Sequence, residues 1–232
     1  MKLAIIGHGR MGQAISRLAT ARGHSVVATV SGQAQRDGGS LTAERLAGAE
    51  VVLEFTRPES AVGNLLGLAR LGARVVSGTT GWTEALPRIQ EAFLAGGGAL
   101  IHSANFSLGV QLFLRAAGDL ARQFAGRPEF AAYVTEIHHA AKRDAPSGTA
   151  RILQERLRRA DAGREFPISS TRAGFGAGTH AAVFDTEFET IHLTHETRSR
   201  DVFAAGALSA AEWLPGRRGV FTLDQMLFGE GP

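Results

Sequence analysis

Residues 2–6 form a short apolar run that passes directly into Gly7-His8-Gly9-Arg10-Met11-Gly12. Ala14, Ile15, Leu18 and Ala19 then recur at helical spacing up to Arg22-Gly23. Strand, G-x-G-x-x-G and helix, in that order, is the context in which the glycine pattern carries meaning. Such glycines permit a tight turn and let a pyrophosphate approach the positive end of the helix. The alternative is a plain β–α turn. Either way, the first part of the chain is restricted to an α/β unit built on a parallel sheet.

The following residues extend that unit. Residues 24–30 read as a second strand. A fold that selects NAD carries an acid roughly 20 residues past the glycines. Here that place reads Val30-Ser31-Gly32, and the next acid is Asp37. Without that carboxylate the usual clash with a 2′-phosphate is gone, and Arg36 is nearby, which favours NADPH, or NADPH and NADH alike. Residues 50–55 read as a third strand. Thr56-Arg57-Pro58-Glu59 has the T-x-x-E spacing of a capping box ahead of a helix through Leu71. Residues 74–77 form a fourth strand ending in Gly78-Thr79-Thr80-Gly81, a turn that suits a ligand at a strand's C-terminal end or a cap for a helix over 82–95. Residues 99–102 form a fifth strand and lead into Ser103-Ala104-Asn105-Phe106. The expectation is a Rossmann-like, doubly wound parallel sheet.

After Asn105 the pattern changes. A long helix is expected over 108–124, a break at Gly126-Arg127-Pro128, a strand over 130–137 and a helix over 149–159. Strands of a mixed or antiparallel sheet are expected over 166–172, 181–187 and 190–197. A helix over 201–214 and a strand-and-turn over 220–227 follow. The expected organisation is a dinucleotide-binding domain, residues 1–106 and 201–232, with a smaller α+β substrate-binding and oligomerisation domain over 107–200.

The chemistry concentrates in residues 136–150, E-I-H-H-A-A-K-R-D-A-P-S-G-T-A. A histidine delivers a proton near neutrality, and a lysine supplies a compact, rotatable cation. Pro146-Ser147-Gly148-Thr149 opening a helix presents N–H groups to a carboxylate or phosphate. The structural alternatives stand beside this: Ser147 or Thr149 as a simple N-cap, Gly148 as a turn residue, and one histidine of the pair as packing, because neighbours on a strand face opposite ways. Lys2 and Lys142 are the only lysines among 25 basic residues, which suggests that a guanidinium will not serve at position 142.

Composition narrows the classes. With no cysteine, disulfides, thiol nucleophiles and thiolate metal sites are excluded. A net charge of +3 without blocks of like charge argues against nucleic acid as a partner and leaves a mild bias towards small anions. No segment reads as a signal peptide or a bilayer span, so no membrane partner is expected and the expected location is cytoplasmic.

These motifs together resemble the dihydrodipicolinate (4-hydroxy-tetrahydrodipicolinate) reductases. The resemblance rests on residues 136–150 and runs through G-H-G-R-M-G, F-T-R-P-E, S-G-T-T-G, S-A-N-F-S-L-G-V and R-A-G…G-T-H to T-H-E-T-R-S-R. It implies reduction of 4-hydroxy-tetrahydrodipicolinate to tetrahydrodipicolinate in diaminopimelate and lysine biosynthesis, with NADPH or NADH and no metal. It implies a small dicarboxylate substrate and a homotetramer formed through the second domain's sheet. Carried over, His138 is the proton donor and Lys142 its catalytic partner, while His139, Ser147, Gly148 and Thr149 contact the substrate. Gly7, His8, Gly9, Arg10, Met11 and Gly12, with Gly78, Thr79, Thr80, Ser103, Ala104, Asn105 and Phe106, hold the cofactor. The chain departs from the pattern at Ser31 and Gly32, and it is shorter than many relatives around residues 31–40 and 172–180. Three rivals share parts of the pattern. One is another two-domain Rossmann dehydrogenase, one a nucleotide-binding sensor. The third is a metallohydrolase using His138, His139 and one of His180, His192 or His195, without an H-E-x-x-H motif to support it.

Overall fold

The computed structural model describes residues 1–31 and 41–229 of the chain. It forms two compact units, Met1–Ser107 with Asp201–Pro232, and Leu108–Arg200. In the first, β1 (Lys2–Ile6), β2 (Ser25–Val30), β3 (Val51–Glu54), β4 (Arg74–Ser77), β5 (Ala99–His102) and β10 (Gly219–Thr222) build one sheet in the order β10-β5-β4-β3-β1-β2. Every pairing in it is parallel. The strands are near-continuous apolar runs because helices bury both faces of such a sheet; Leu3, Ile5, Leu53, Val75 and Leu100 are fully buried. The chain runs outward from β1 in both directions, to β2 on one side and β3 on the other. The C-terminal ends of β1 and β3 therefore mark the switch point where such sheets open a crevice.

Helices α1 (Arg10–Ala21), α2 (Pro58–Arg70), α3 (Leu86–Gly96) and α6 (Asp201–Trp213) belong to this unit, as does the short α7 (Leu223–Phe228). Arg17 Nη2 to Asp201 Oδ2 at 2.7 Å and His24 Nε2 to Glu212 Oε1 at 2.8 Å tie α6 to the N-terminal part of the chain. Three local expectations need correction. Thr56 does not cap α2: the N-cap is Arg57, Pro58 opens the helix, and the Thr56 hydroxyl bonds the Glu54 carboxylate instead. Proline at the first helical position fixes the start one residue later. The capping box lies at Thr222 and Gln225, where a strand-and-turn was expected; it starts α7. The helix expected over 82–95 begins with a 3-10 turn, Thr83–Ala85.

The second unit is a four-stranded mixed sheet, order β7-β6-β8-β9, formed by β6 (Ala131–His138), β7 (Ile168–Arg172), β8 (Gly178–Asp185) and β9 (Thr190–Thr197). β7 is parallel to β6, and β8 is antiparallel to both β6 and β9. Helix α4 (Leu108–Phe124) buries Val110, Phe113, Leu114, Ala117, Ala121 and Phe124, the stripe that its 3.6-residue period brings to one face. With Leu153 and Leu157 of α5 (Gly148–Ala160), these residues share one core with Ala132, Val134, Ala182 and Phe184 of the sheet. Among the described residues, no helix is long and apolar enough to cross a membrane.

Candidate active site

Strand β6 sends Ala132, Val134, Glu136 and His138 to its buried face, since residues two apart point the same way. The first two join the apolar core; the last two turn the same stripe polar. Register adds the rest. Glu136 lies beside Ser170 and His138 beside Arg172 on β7, and Glu136 lies opposite His180 on β8. All of these neighbours stand on one face.

Glu136 is 1% exposed. Its Oε1 accepts the Ser147 N–H at 3.0 Å, the Ser170 hydroxyl at 2.7 Å and Arg172 Nη2 at 2.7 Å. Burial pushes the carboxyl up, but these donors outweigh it and hold the pKa at about 2. The other oxygen, Oε2, is buried without a hydrogen-bond partner and lies 3.4 Å from His138 Nδ1 and 3.6 Å from His180 Nε2. Burial pushes His138 below its usual range. Glu136 and Asp144 pull it up, and Lys142 and Arg172 push it down. Burial and His138 push His180 down to about 4, against the pull of Glu136. The two rings meet edge to face at 5.0 Å.

Of the residues singled out from sequence, the structure brings His138 and Ser147 together through Glu136. Ser147 is the N-cap of α5, and its hydroxyl accepts from Ala150 N at 3.2 Å and meets His180 Nε2 at 3.1 Å. That hydroxyl is committed inside the protein. Gly148 is exposed and Thr149 half-buried at the head of α5, where first-turn N–H groups lack helical acceptors. Lys142 Nζ grips both oxygens of Asp144, at 2.7 and 2.9 Å. The Asp144 carbonyl accepts from Arg172 Nη2 at 2.6 Å, which links Lys142 to the same cluster. His139 follows the end of β6, half-buried, with its N–H on the Gly176 carbonyl at 3.0 Å. Gly178 stands over the catalytic candidate: a Cβ there would lie 2.8 Å from His138 Nε2, and its φ of +150° suits glycine.

Glu136, Ser170 and Arg172 were not assigned to the site from sequence, and His180 entered only as a ligand of the metallohydrolase alternative. The alternation A-x-V-x-E-x-H along β6 carries a trace of Glu136; the others depend on strand register. Glu136, His138 and His180 lie close enough to surround one cation. Arg172 already supplies the balancing charge to that carboxylate, so the cluster reads as a hydrogen-bonded one.

The glycine-rich turn after β1 fits a dinucleotide. A Cβ on Gly7 would lie 2.1 Å from the Phe55 carbonyl oxygen, and one on Gly12 would lie 2.1 Å from that of Gly7. Only glycine allows this close packing at the switch point. Gly9 is the N-cap of α1 with no side-chain cap, and no acid stands in the first turn. The helix's positive end is thus left to an anion. His8, Gly9 and Arg10 are exposed and Met11 half-buried beside it. At the end of β4, Thr79 accepts the Thr56 N–H at 2.8 Å, which commits its hydroxyl, while Thr80 is exposed and Gly78 half-buried. After β5, Ser103 and Asn105 bond each other and Asn105 Oδ1 accepts the Ser107 N–H at 2.9 Å; Ala104 is exposed between them and Phe106 is buried. Gly32 and Arg36, on which the cofactor argument drew, lie outside the described residues.

Known proteins resemble this chain along nearly its whole length. Residues 1–106 match the family described as dihydrodipicolinate reductase, N-terminus, and residues 109–227 the one described as dihydrodipicolinate reductase, C-terminus. The 4-hydroxy-tetrahydrodipicolinate reductase of Christiangramia forsetii is 33% identical over 98% of this chain and 98% of that protein. The enzyme of the same name from Archaeoglobus fulgidus is 35% identical over 98% of this chain and 100% of its own. A solved dihydrodipicolinate reductase from Paenisporosarcina sp. TG-14, with dipicolinate bound, has the same fold: TM-score 0.81 at 21% identity, over 96% of this chain and 97% of that one. Both halves match in order and the relatives align along nearly their whole length, so the chain belongs to the dihydrodipicolinate reductase family.

Proposed function

We infer that the protein reduces 4-hydroxy-tetrahydrodipicolinate with NADPH or NADH, a step of diaminopimelate and lysine biosynthesis. Family membership supports the reaction, and one observation carries its location. The Glu136 carboxylate ties the strand end bearing His138 to the helix start at Ser147, so a proton donor and an anion-binding helix end share one anchor.

The turn of residues 7–12, with residues 78–80 and 103–106, holds the cofactor, whose nicotinamide supplies the hydride. The N–H groups of Gly148 and Thr149 and the positive end of α5 bind a substrate carboxylate, with His139 alongside. His138 delivers the proton that completes the reduction. In the free protein its pKa is depressed; two carboxylates arriving beside it raise that pKa, so the substrate itself loads the donor. Lys142 stabilises developing negative charge, and to do so it must exchange Asp144 for substrate. Val30-Ser31, where an acid would exclude a 2′-phosphate, supports use of NADPH or of both cofactors. The family resemblance adds a homotetramer, and the biosynthetic relatives fit the cytoplasmic location expected from the sequence.

The test is to titrate the purified protein with NADPH and with NADH, then to add freshly generated substrate while following nicotinamide absorbance. Rapid oxidation is expected. Tight cofactor binding without oxidation would reject the assignment, and the ratio of the two kcat/KM values measures cofactor preference.

A further inference from the structure

We propose that Glu136 is the positioning residue of the proton donor: its Oε2 accepts the His138 Nδ1–H, which fixes the ring's tautomer and leaves Nε2 to hand over the proton. The proposal rests on His138 being the donor. Three donors pin Oε1, from the N-terminus of α5, from Ser170 and from Arg172, so the carboxylate cannot swing and its second oxygen is aimed. That oxygen and His138 Nδ1 are both buried, both without a partner and 3.4 Å apart. A closure of a few tenths of an ångström gives a charge-assisted bond, and buried polar atoms seldom go unpaired. His180 is the competitor for Oε2, but its Nε2 lies nearer the Ser147 hydroxyl, 3.1 Å against 3.6 Å. Nε2 of His138 faces Gly178, where no side chain covers it.

The charged and titratable groups facing His138 come from every element around it: Glu136 on its own strand, Lys142 and Asp144 in the loop that follows, Arg172 on β7 and His180 on β8. Two cations push against protonation. Glu136 is the buried anion that favours it, and Asp144 adds to its effect from the exposed side. A donor works only while protonated, so the rate falls as pH rises through its pKa. Removing the Glu136 charge lowers that pKa and moves the alkaline limb to lower pH.

The experiment uses histidine-¹⁵N-labelled full-length protein, with the His138 resonances identified by their loss in His138→Gln. Neutral His138 in the wild type is expected as the Nδ1–H tautomer. In Glu136→Gln the amide N–H₂ faces the ring as a donor, so the Nε2–H tautomer is expected. The alkaline limb of kcat/KM should then fall by about one pH unit and kcat by about ten-fold or more. Glu136→Asp keeps the charge and should keep the tautomer. An Nε2–H tautomer in the wild type overturns the proposal, as does an unmoved limb in folded Glu136→Gln. If Glu136→Gln does not fold, the wild-type tautomer alone decides. Wild-type turnover by His138→Gln would overturn the donor assignment, a result distinct from either tautomer outcome.

Discussion

Each unit of this protein buries a glutamate near the C-terminal end of a central strand, and the two are solvated in opposite ways. Glu54, fully buried at the end of β3, receives only neutral donors among the described residues: Ser77 Oγ at 2.7 Å on one oxygen, and Thr56 Oγ1 and Asn64 Nδ2 on the other. Both of its oxygens are filled, and the partners lead to β4, to α2 and, through Thr56, to Thr79. Glu136 has one oxygen crowded by three donors, a guanidinium among them, and one oxygen left to face two histidines. A carboxylate satisfied on both sides by neutral groups fastens loops together. One with an aimed, unfilled oxygen beside an imidazole can govern a proton. Burial alone does not separate the two roles; the occupancy of each oxygen does.

The comparison breaks most visibly at the ring Glu136 faces. His138→Gln is expected to lower kcat by about 10²- to 10⁴-fold, the usual contribution of a general acid, with cofactor affinity unchanged. Steady-state kinetics with a parallel cofactor titration check this, and wild-type turnover would place the chemistry elsewhere. Next is the cation. Arg172→Met leaves Glu136 a buried anion without its counter-charge and is expected to cost about 3–5 kcal/mol in urea unfolding, since breaking a buried pair on one side exceeds the pair's own worth. No equivalent variant exists for Glu54, whose hydrogen-bond partners among the described residues, Ser77, Thr56 and Asn64, are all neutral. A cost below about 1 kcal/mol would mean that the hydroxyl of Ser170 and the α5 amide suffice, and the two glutamates would then be alike.

A third effect follows from pH. The pKa of His180 is about 4 in the folded protein against an ordinary 6.5. Below pH 6.5 the unfolded chain takes up a proton that the folded one refuses. The stabilisation is therefore complete above that pH and is lost as pH falls towards 4, on the order of 3 kcal/mol in all. Glu136, at about 2 against 4.5, extends the loss below pH 4.5. His180 alone should add up to about 1.4 kcal/mol per pH unit to the slope of the unfolding free energy between pH 4 and 6.5, on top of the share from His138, and His180→Gln should remove its own share. An unchanged slope would show that His180 is not the group refusing the proton.

How much of this could be read from residues alone divides along the same line. The first unit is written locally: Gly7, Gly9 and Gly12 sit between a strand and a helix adjacent in sequence, and the packing of Gly12 on the Gly7 carbonyl needs nothing from afar. The segment 136–150 was equally visible, because it is contiguous. What escaped was everything fixed by register. Ser170, Arg172 and His180 meet Glu136 only because β7 and β8 align with β6 at particular residues, and no local pattern encodes that alignment. Competition between partners hid other details. Thr56 has the spacing of a cap, yet Pro58 moves the helix start and Glu54 captures the hydroxyl. Lys142 looked poised for substrate and is found on Asp144, two residues away.

The smallest expected effect sharpens the comparison from the other side. Ser77 donates to the one Glu54 oxygen that Thr56 and Asn64 do not share. Ser77→Ala leaves that oxygen buried and short of a donor, at an expected cost of about 1–2 kcal/mol. Among the described residues the donors to Glu54 are hydroxyls and an amide rather than an imidazole, so turnover at saturating cofactor and substrate should stay within about two-fold of wild type. Urea unfolding and kcat, measured on the same preparation, separate the two readouts. A kcat loss approaching that of His138→Gln, at unchanged stability, would mean that the carboxylate under the glycine-rich turns also acts on the reaction. Occupancy of the oxygens would then no longer distinguish a structural glutamate from a functional one.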